Sequence, residues 1–160
     1  MITLADYWMG RDIRYPADLT DVVIDNAAEL LDRVNLLISH ASQDGVQPVT
    51  DAATWTHVAS GWRPKSVNDA TSSAGKNSRH ITGRAIDLRD DPVKRQLARW
   101  CLAHLDKLAE IGLWMEDPQW TPSWVHLQSI APGSGRRVYI PSAHPPLATK
   151  LPEQMTGYVA

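Results

Sequence analysis

The sequence predicts an α+β fold, because helical and strand-like patterns both occur along the chain without strict alternation. Apolar side chains repeat every three or four residues from Leu19 to Ala41, which predicts an amphipathic helix over about residues 18–41. A second helix is predicted between Asp91, a suitable N-cap, and Gly112, a suitable C-terminal stop. Short alternating or β-branched runs predict strands at residues 56–63, 84–89, 124–130 and 136–140.

A chain of 160 residues has the length of one domain, and we expect residues 1–160 to form a single one. The motif-bearing centre spans about residues 56–130, and an irregular, proline-rich tail is expected from residue 141. A hydrophobic fraction of 43% and a charged fraction of 21% are ordinary for a globular protein. The composition therefore argues against disordered and fibrous classes.

Charge and hydropathy argue against several classes of partner. The net charge is -2 and no basic block is present, so no binding of nucleic acid is expected. No segment approaches the roughly 20 apolar residues of a membrane span, so no membrane insertion is expected. Asp6 and Arg11 precede any apolar run of signal length, which predicts that there is no signal peptide. The single cysteine, Cys101, excludes an intramolecular disulfide.

The most informative stretch is residues 78–87, Ser-Arg-His-Ile-Thr-Gly-Arg-Ala-Ile-Asp. His80 and Asp87 lie seven residues apart with a glycine and an alanine between them, and His126 follows about forty residues later. Strand alternation places Asp87 among residues expected to be buried, where a metal ion is a strong partner for an acid. Two imidazoles and one carboxylate are the protein ligands of an open catalytic zinc, whose fourth position takes water. The pattern therefore predicts a Zn²⁺ site.

Each of these residues has a simpler interpretation when it is considered alone. His80 could cap a loop, and His126 could be a core histidine with its hydrogen bonds satisfied. Asp87 could pair with Arg84 or Arg89. A protein without a metal is therefore one alternative, but the three residues together, with the small-residue spacer, favour the metal site.

The chain resembles the zinc D-alanyl-D-alanine carboxypeptidase family of peptidoglycan metallopeptidases, a group that includes phage cell-wall endopeptidases and the hedgehog domain. The resemblance rests on two motifs, Ser78-x-His80-x-x-Gly83-x-Ala85-x-Asp87 and Trp124-x-His126. Upstream, Ser60-Gly61-Trp62-Arg63, followed by Asn68, is similar to the Ser-Gly-Tyr-Arg segment of that family. The match covers about residues 60–128 and is weak elsewhere.

The resemblance implies a small antiparallel sheet that carries the zinc site, with helices packed on it. By matching position, it implies the zinc ligands His80, Asp87 and His126. It also implies that Arg63 binds a substrate carboxylate or carbonyl and helps to stabilise the oxyanion. Ser78 and Trp124 would line the substrate cleft. Without the motif, the simplest interpretation of Arg63 is a solvated strand end.

One departure from the family concerns the general base. Many members carry an acid three residues before the last zinc histidine, where this chain has Ser123. The nearest acids are Glu116 and Asp117, and a hairpin with its loop at residues 118–122 would set Glu116 opposite Trp124, on the face of His126. We therefore predict Glu116 as the base, with Asp117 as the second choice. Both acids could equally be solvated hairpin residues.

These expectations combine into a zinc peptidase that cleaves peptidoglycan peptides, as a carboxypeptidase or an endopeptidase. The small size and the expected lack of an export signal favour a phage lysin or a related protein. Such an enzyme is made in the bacterial cytoplasm, acts at the cell wall after release, and is expected to be a monomer. The alternative is a non-catalytic, zinc-stabilised binding or virion structural module with a degenerate active site. Ser123 favours that alternative. The sequence leaves open which peptide bond would be cut.

Overall fold

The computed structural model describes residues 1–72 and 74–141. Its helices are α1 (Leu4–Trp8), α2 (Arg11–Arg14), α3 (Asp21–Gln43), α4 (Lys65–Ala70), α5 (Gln96–Ala103) and α6 (Leu105–Ile111), with a 3-10 turn at Pro16–Asp18. Its strands are β1 (Val58–Ser60), β2 (Ala85–Arg89), β3 (Trp114–Glu116), β4 (Trp124–Gln128) and β5 (Val138–Tyr139). The predicted α+β class is confirmed. The tail expected from residue 141 lies outside the described residues, apart from Pro141.

The five strands form one mixed sheet in the order β1-β2-β4-β3-β5. Neighbouring strands are antiparallel except β3 and β5, which are parallel. The prediction of an antiparallel sheet is therefore wrong at this edge. Strands β2 and β3 occupy both sides of β4, and β5 pairs with the other side of β3. Since β3 and β5 both run opposite to β4, they are parallel to each other.

Helix α3 is the predicted N-terminal helix, and it begins at Asp21 rather than at residue 18. Thr20 is its N-cap, because its hydroxyl oxygen accepts the Val23 amide N–H. The buried side chains repeat every three or four residues and pack in one core with those of the sheet. Those at the middle of the helix are Ala27, Leu30, Val34 and Leu37.

The predicted helix between Asp91 and Gly112 is two shorter helices, α5 and α6, which meet at His104. The Nδ1 atom of His104 lies 2.8 Å from the Trp100 carbonyl oxygen, which is a hydrogen-bond acceptor that a continuous helix would use. The backbone N–H of His104 donates instead to the Cys101 carbonyl, three residues back. The side chain therefore competes with the backbone and interrupts the helix.

Helix α5 is capped by Asp90 and not by the predicted Asp91. The buried Asp90 carboxylate accepts the amide N–H groups of Leu97 and Ala98 at 3.1 and 3.0 Å. Asp91 instead holds a turn before the helix, where its Oδ1 accepts the amide of Val93 at 2.8 Å. Within the described ranges, no helix is long and apolar enough to cross a bilayer.

Candidate metal centre

The two central strands bring an aspartate and a histidine side by side. Asp87 of β2 and His126 of β4 are cross-strand partners in the antiparallel ladder, so their side chains lie on one face of the sheet. His80 lies in the turn before β2 and is fully buried, while Asp87 and His126 are 8% and 9% exposed. All three residues predicted as metal ligands therefore converge at one place.

Three ligand atoms face one another at this point. Nε2 of His80 lies 3.3 Å from Nδ1 of His126. Oδ1 of Asp87 lies 3.4 Å from the His80 nitrogen and 2.7 Å from the His126 nitrogen. A tetrahedral zinc ion bound about 2.0–2.1 Å from each atom separates its ligand atoms by about 3.3 Å. Two of the three distances match this value, and the third, a hydrogen bond, would open by about half an ångström. The group could hold a metal ion.

The His80 ring is oriented by a backbone carbonyl. Its Nδ1 lies 2.8 Å from the Gly61 carbonyl oxygen. Since a carbonyl can only accept, Nδ1 carries the proton and Nε2 keeps its lone pair for a metal. A side chain at Gly61 is excluded, because a Cβ there would lie 1.9 Å from the Tyr7 carbonyl oxygen. The Ser78 hydroxyl accepts the His80 amide N–H at 3.3 Å, so Ser78 supports the turn that carries this ligand.

The group combines a buried carboxylate with two imidazoles, and these groups shift one another's pKa values. Burial acts to raise the pKa of Asp87, but the nearby imidazoles of His80 and His126 outweigh it and hold that pKa well below its usual range. Burial acts to lower the pKa of His126, but the hydrogen bond to the Asp87 carboxylate and its charge together raise it. Burial lowers the pKa of His80. The Asp87 carboxylate is therefore ionised and accepts a hydrogen bond from the His126 imidazole. A metal cation can take the place of the proton in that hydrogen bond.

Arg63 adds a guanidinium to the site. Its Nη2 lies 3.7 Å from Asp87 Oδ2, and its side chain is only 11% exposed. Its amide N–H donates to the His80 carbonyl at 3.1 Å, which ties the start of α4 to the ligand turn. Burial lowers the pKa of Arg63, and the charge of Asp87 opposes this effect. A guanidinium in this position can bind a carboxylate or a developing oxyanion.

Glu116 lies on the face of the sheet that carries His126. In the β3–β4 ladder Met115 is opposite Leu127, so the next step of the same register sets Glu116 opposite His126. The negative charge of Glu116 acts to raise the pKa of both His126 and Arg63. A second carboxylate is therefore close to the group of His80, Asp87 and His126.

The predicted hairpin register was wrong by two residues, since it set Glu116 opposite Trp124. The chain between β3 and β4 is longer than the expected loop at residues 118–122, since β3 ends at Glu116 and β4 begins at Trp124. On the other side of β3, the amide N–H of Asp117 donates to the Tyr139 carbonyl at 2.8 Å. A shift of two residues keeps every side chain on its face, so the predicted face of Glu116 stands.

The other candidate residues near Glu116 have different surroundings. Asp117 Oδ1 accepts the Gln119 amide N–H at 2.9 Å, so this carboxylate caps the turn after β3. Ser123 is exposed, and its carbonyl accepts the amide N–H of Asp90 at 2.9 Å. Trp124 is half-buried on the face of the sheet that carries His126, two residues before it on β4.

Tyr139 is a part of this site that the sequence did not predict. Its ring meets His126 edge-on with the ring centroids 6.5 Å apart, and its hydroxyl donates to Gln128 Oε1 at 2.7 Å. In the parallel ladder it is opposite Glu116. The available signal was the alternating run at residues 136–140, which predicts a strand but does not say which edge of the sheet it joins.

No family model matches this chain, and no curated protein or solved structure matches it either. What the site can do chemically therefore follows from its own residues. A buried pair of imidazoles and a carboxylate can bind one cation. A second carboxylate and a guanidinium can assist a reaction at that cation.

Proposed function

We propose that this protein is a zinc-dependent peptidase that hydrolyses peptide bonds in peptidoglycan stem peptides, as a carboxypeptidase or an endopeptidase. The observation that best supports the proposal is the buried group of His80, Asp87 and His126, with Glu116 on the same face of the sheet. The two motifs that resemble the zinc D-alanyl-D-alanine carboxypeptidases support the same reaction and substrate class. A fold of the hedgehog/DD-peptidase type is part of this proposal.

Zinc is the proposed metal because of the donor set. Two imidazole nitrogens and one carboxylate oxygen leave one position open on a tetrahedral ion, which is the arrangement of catalytic zinc sites. Zinc bound there would polarise the scissile carbonyl and bring the pKa of a bound water to about 7. Nδ1 of His80 donates to a backbone carbonyl, which leaves the lone pair of Nε2 directed at the site. A histidine oriented in this way is typical of a metal ligand and not of a solvated side chain.

The remaining residues supply proton transfer and binding. Glu116 takes a proton from the attacking water and delivers it to the leaving amine, which is general-base and then general-acid work. Arg63 binds the carboxylate or carbonyl of the substrate and stabilises the negative charge that develops on the carbonyl oxygen. Trp124 and the turn at Ser78 border the space in which the peptide lies.

A second candidate function is a non-catalytic, zinc-stabilised binding or virion structural module. The observation that favours it is Ser123, an exposed hydroxyl at the position where many members of the resembled family carry the catalytic acid. A serine does not take a proton from water at neutral pH. The two candidates share the metal, so only turnover separates them.

The test is release of new peptide ends from purified peptidoglycan by the zinc-loaded protein. We expect Glu116→Gln to lower kcat by about 10²–10⁴-fold with unchanged zinc content, since it removes the base and leaves the ligands. Asp117→Asn is the matched control, because it makes the same change of charge on the adjacent residue. We expect it to retain kcat within a few-fold.

Two outcomes would contradict parts of the proposal. If the intact, zinc-loaded protein releases no peptide ends, the peptidase proposal fails and the binding module is favoured. If Asp117→Asn abolishes turnover while Glu116→Gln does not, the peptidase proposal stands but the assignment of its base is wrong.

A further inference from the structure

A cavity lies against helix α5, on the side of the sheet away from the candidate metal centre. Val125 and Leu127 of β4 are in the hydrophobic core, and they alternate along the strand with His126. The core and the candidate metal centre therefore lie on opposite faces of the sheet. Leu97 and Cys101 of α5 are in the same core, so this helix packs on the face that does not carry His126.

The cavity has a volume of about 480 Å³, and the most buried residue that lines it is Trp100. The indole stacks on the imidazole of His104, with the ring centroids 4.2 Å apart and an angle of 19° between the planes. Nε1 of Trp100 donates to Oδ2 of Asp44 at 2.7 Å, which fixes the indole at its edge. The aromatic surface is therefore formed before a ligand arrives, and this lowers the entropic cost of binding.

The exposed part of the lining is basic. Lys94 and Arg99 both line the cavity and are exposed, and no aspartate or glutamate lines it. Among the described residues, neither of these two side chains is in an ion pair. Two nearby acids have other partners, since Asp44 accepts the indole N–H and Asp91 accepts the backbone amides of Val93 and Lys94. The lining of the cavity therefore carries a net positive charge.

We propose that this cavity binds a small organic anion with a flat, apolar body, of the class of aromatic carboxylates and sulfonates. The body lies against Trp100, Val46 and Ala103, where the removal of apolar surface from water favours binding. The anionic group is bound by Lys94 and by Arg99, whose guanidinium can offer two parallel donors.

The shape of the cavity favours a small ligand over a larger partner. A volume of about 480 Å³ is within the range of about 300–1,000 Å³ that holds a drug-sized molecule. Trp100 is only 7% exposed, so a flat bilayer surface resting on the exposed cations would not reach the indole. The net charge of the whole chain is -2, which disfavours a long polyanion.

The test uses two fluorescent probes that differ in charge. Anilinonaphthalene sulfonate carries the anionic group, and phenylnaphthylamine has the same aromatic body without it. In a fluorescence titration of the full chain, we expect a single sulfonate probe to bind per chain and the neutral probe to bind about fivefold more weakly or less tightly still. Added salt should weaken binding of the sulfonate probe and leave that of the neutral probe unchanged.

Substitutions in the lining separate the two parts of the ligand. Lys94→Gln combined with Arg99→Gln should weaken the sulfonate probe about fivefold or more and leave the neutral probe unchanged. Arg14→Gln combined with Arg136→Gln is the matched control, because it makes the same change of net charge at two exposed arginines outside the cavity. Ala103→Trp, at an exposed lining residue, places a bulky ring in the cavity and should abolish binding of both probes.

The proposal is contradicted if the two probes bind equally well, or if the Lys94 and Arg99 variant binds the sulfonate probe as tightly as the parent does. It is also contradicted if vesicles of anionic phospholipid bind through these two cations while the soluble probe does not, since the occupant is then a membrane surface. Asp87→Asn should bind the sulfonate probe like the parent. Loss of the probe in that variant, while it still unfolds cooperatively, would place the probe at the metal centre. None of these measurements depends on peptidase activity.

Discussion

Asp87 and His126 face each other across β2 and β4, with Oδ1 of the aspartate 2.7 Å from Nδ1 of the histidine. The contact is fixed by the register of two central strands whose other faces are in the core. A shift of one residue in the β2–β4 register would move His126 to the opposite face of the sheet. The contact between Asp87 and His126 therefore depends on the same strand pairing as the fold. The candidate metal centre is thus part of the framework of the protein, and metal binding there is expected to stabilise the fold.

The first prediction concerns that coupling. Adding zinc to metal-free protein at a hundred times its dissociation constant should stabilise the native state by about 2.7 kcal/mol, since the site forms only in the folded chain. For a chain of this size the melting temperature should rise by about 5–10 °C. Differential scanning calorimetry with and without zinc measures the shift. Asp87→Asn should abolish it, and an equal shift in that variant would show that the metal binds elsewhere.

The second prediction concerns Gly83, in the turn between His80 and Asp87. Its φ is 74°, and a Cβ there would lie 2.6 Å from the Val23 carbonyl oxygen of α3. We expect Gly83→Ala to lower the free energy of unfolding by about 2 kcal/mol or more, measured by urea denaturation. Gly75→Ala is the control, because a Cβ at Gly75 meets nothing within 4 Å. A loss at Gly75 as large as that at Gly83 would contradict this explanation.

The third prediction separates the two aspartates before α5. Asp90 is 4% exposed and caps the helix through two amide N–H groups, whereas Asp91 holds an exposed turn. Asp90→Ala should therefore cost about 2 kcal/mol, at the upper end of N-cap losses, and Asp91→Ala should cost clearly less. The free energy of unfolding of both variants, from chemical denaturation, makes the comparison. The reverse order would place the cap at Asp91, as the sequence suggested.

The fourth prediction concerns the thiol of Cys101. Burial raises its pKa from 9.0 to about 12, so the folded protein holds the thiol protonated at pH 9 while the unfolded chain is half ionised. Reaction with a thiol reagent at pH 9 should be slower by about a hundredfold or more in the folded protein than in urea. Because the unfolded state loses this proton first, stability should fall as the pH rises from about 9 towards 12. Equal reaction rates with and without denaturant would show that Cys101 is accessible.

Local patterns were enough to predict that His80, Asp87 and His126 come together. His80 and Asp87 lie within one short segment, and strand alternation alone sets Ala85 with Asp87 and sets Trp124 with His126. For the same reason the face of Glu116 was correct although its register was not. An error of two residues in the register leaves each side chain on the same face of the sheet. The residues of the candidate site could therefore be predicted more accurately than the strand pairing that brings them together.

Features that depend on long-range contacts could not be predicted in this way. The break at His104 arises from a side chain that bonds a carbonyl one turn back, and the apolar periodicity continues through it. The cap of α5 is a buried aspartate that reaches helix amides seven and eight residues ahead, beyond the usual capping distance. The position of Tyr139 beside His126 follows from which sheet edge β5 joins, and this depends on the complete strand order.

The most direct test of the central claim is elemental analysis of the purified protein after metal supplementation. One equivalent of zinc per chain is expected in the native sequence and almost none in Asp87→Ala or His126→Ala. His57→Ala, at a histidine outside the ligand group, should keep its zinc. Less than one equivalent of any transition metal in the native protein, or full retention in both ligand variants, would contradict a metal centre at His80, Asp87 and His126.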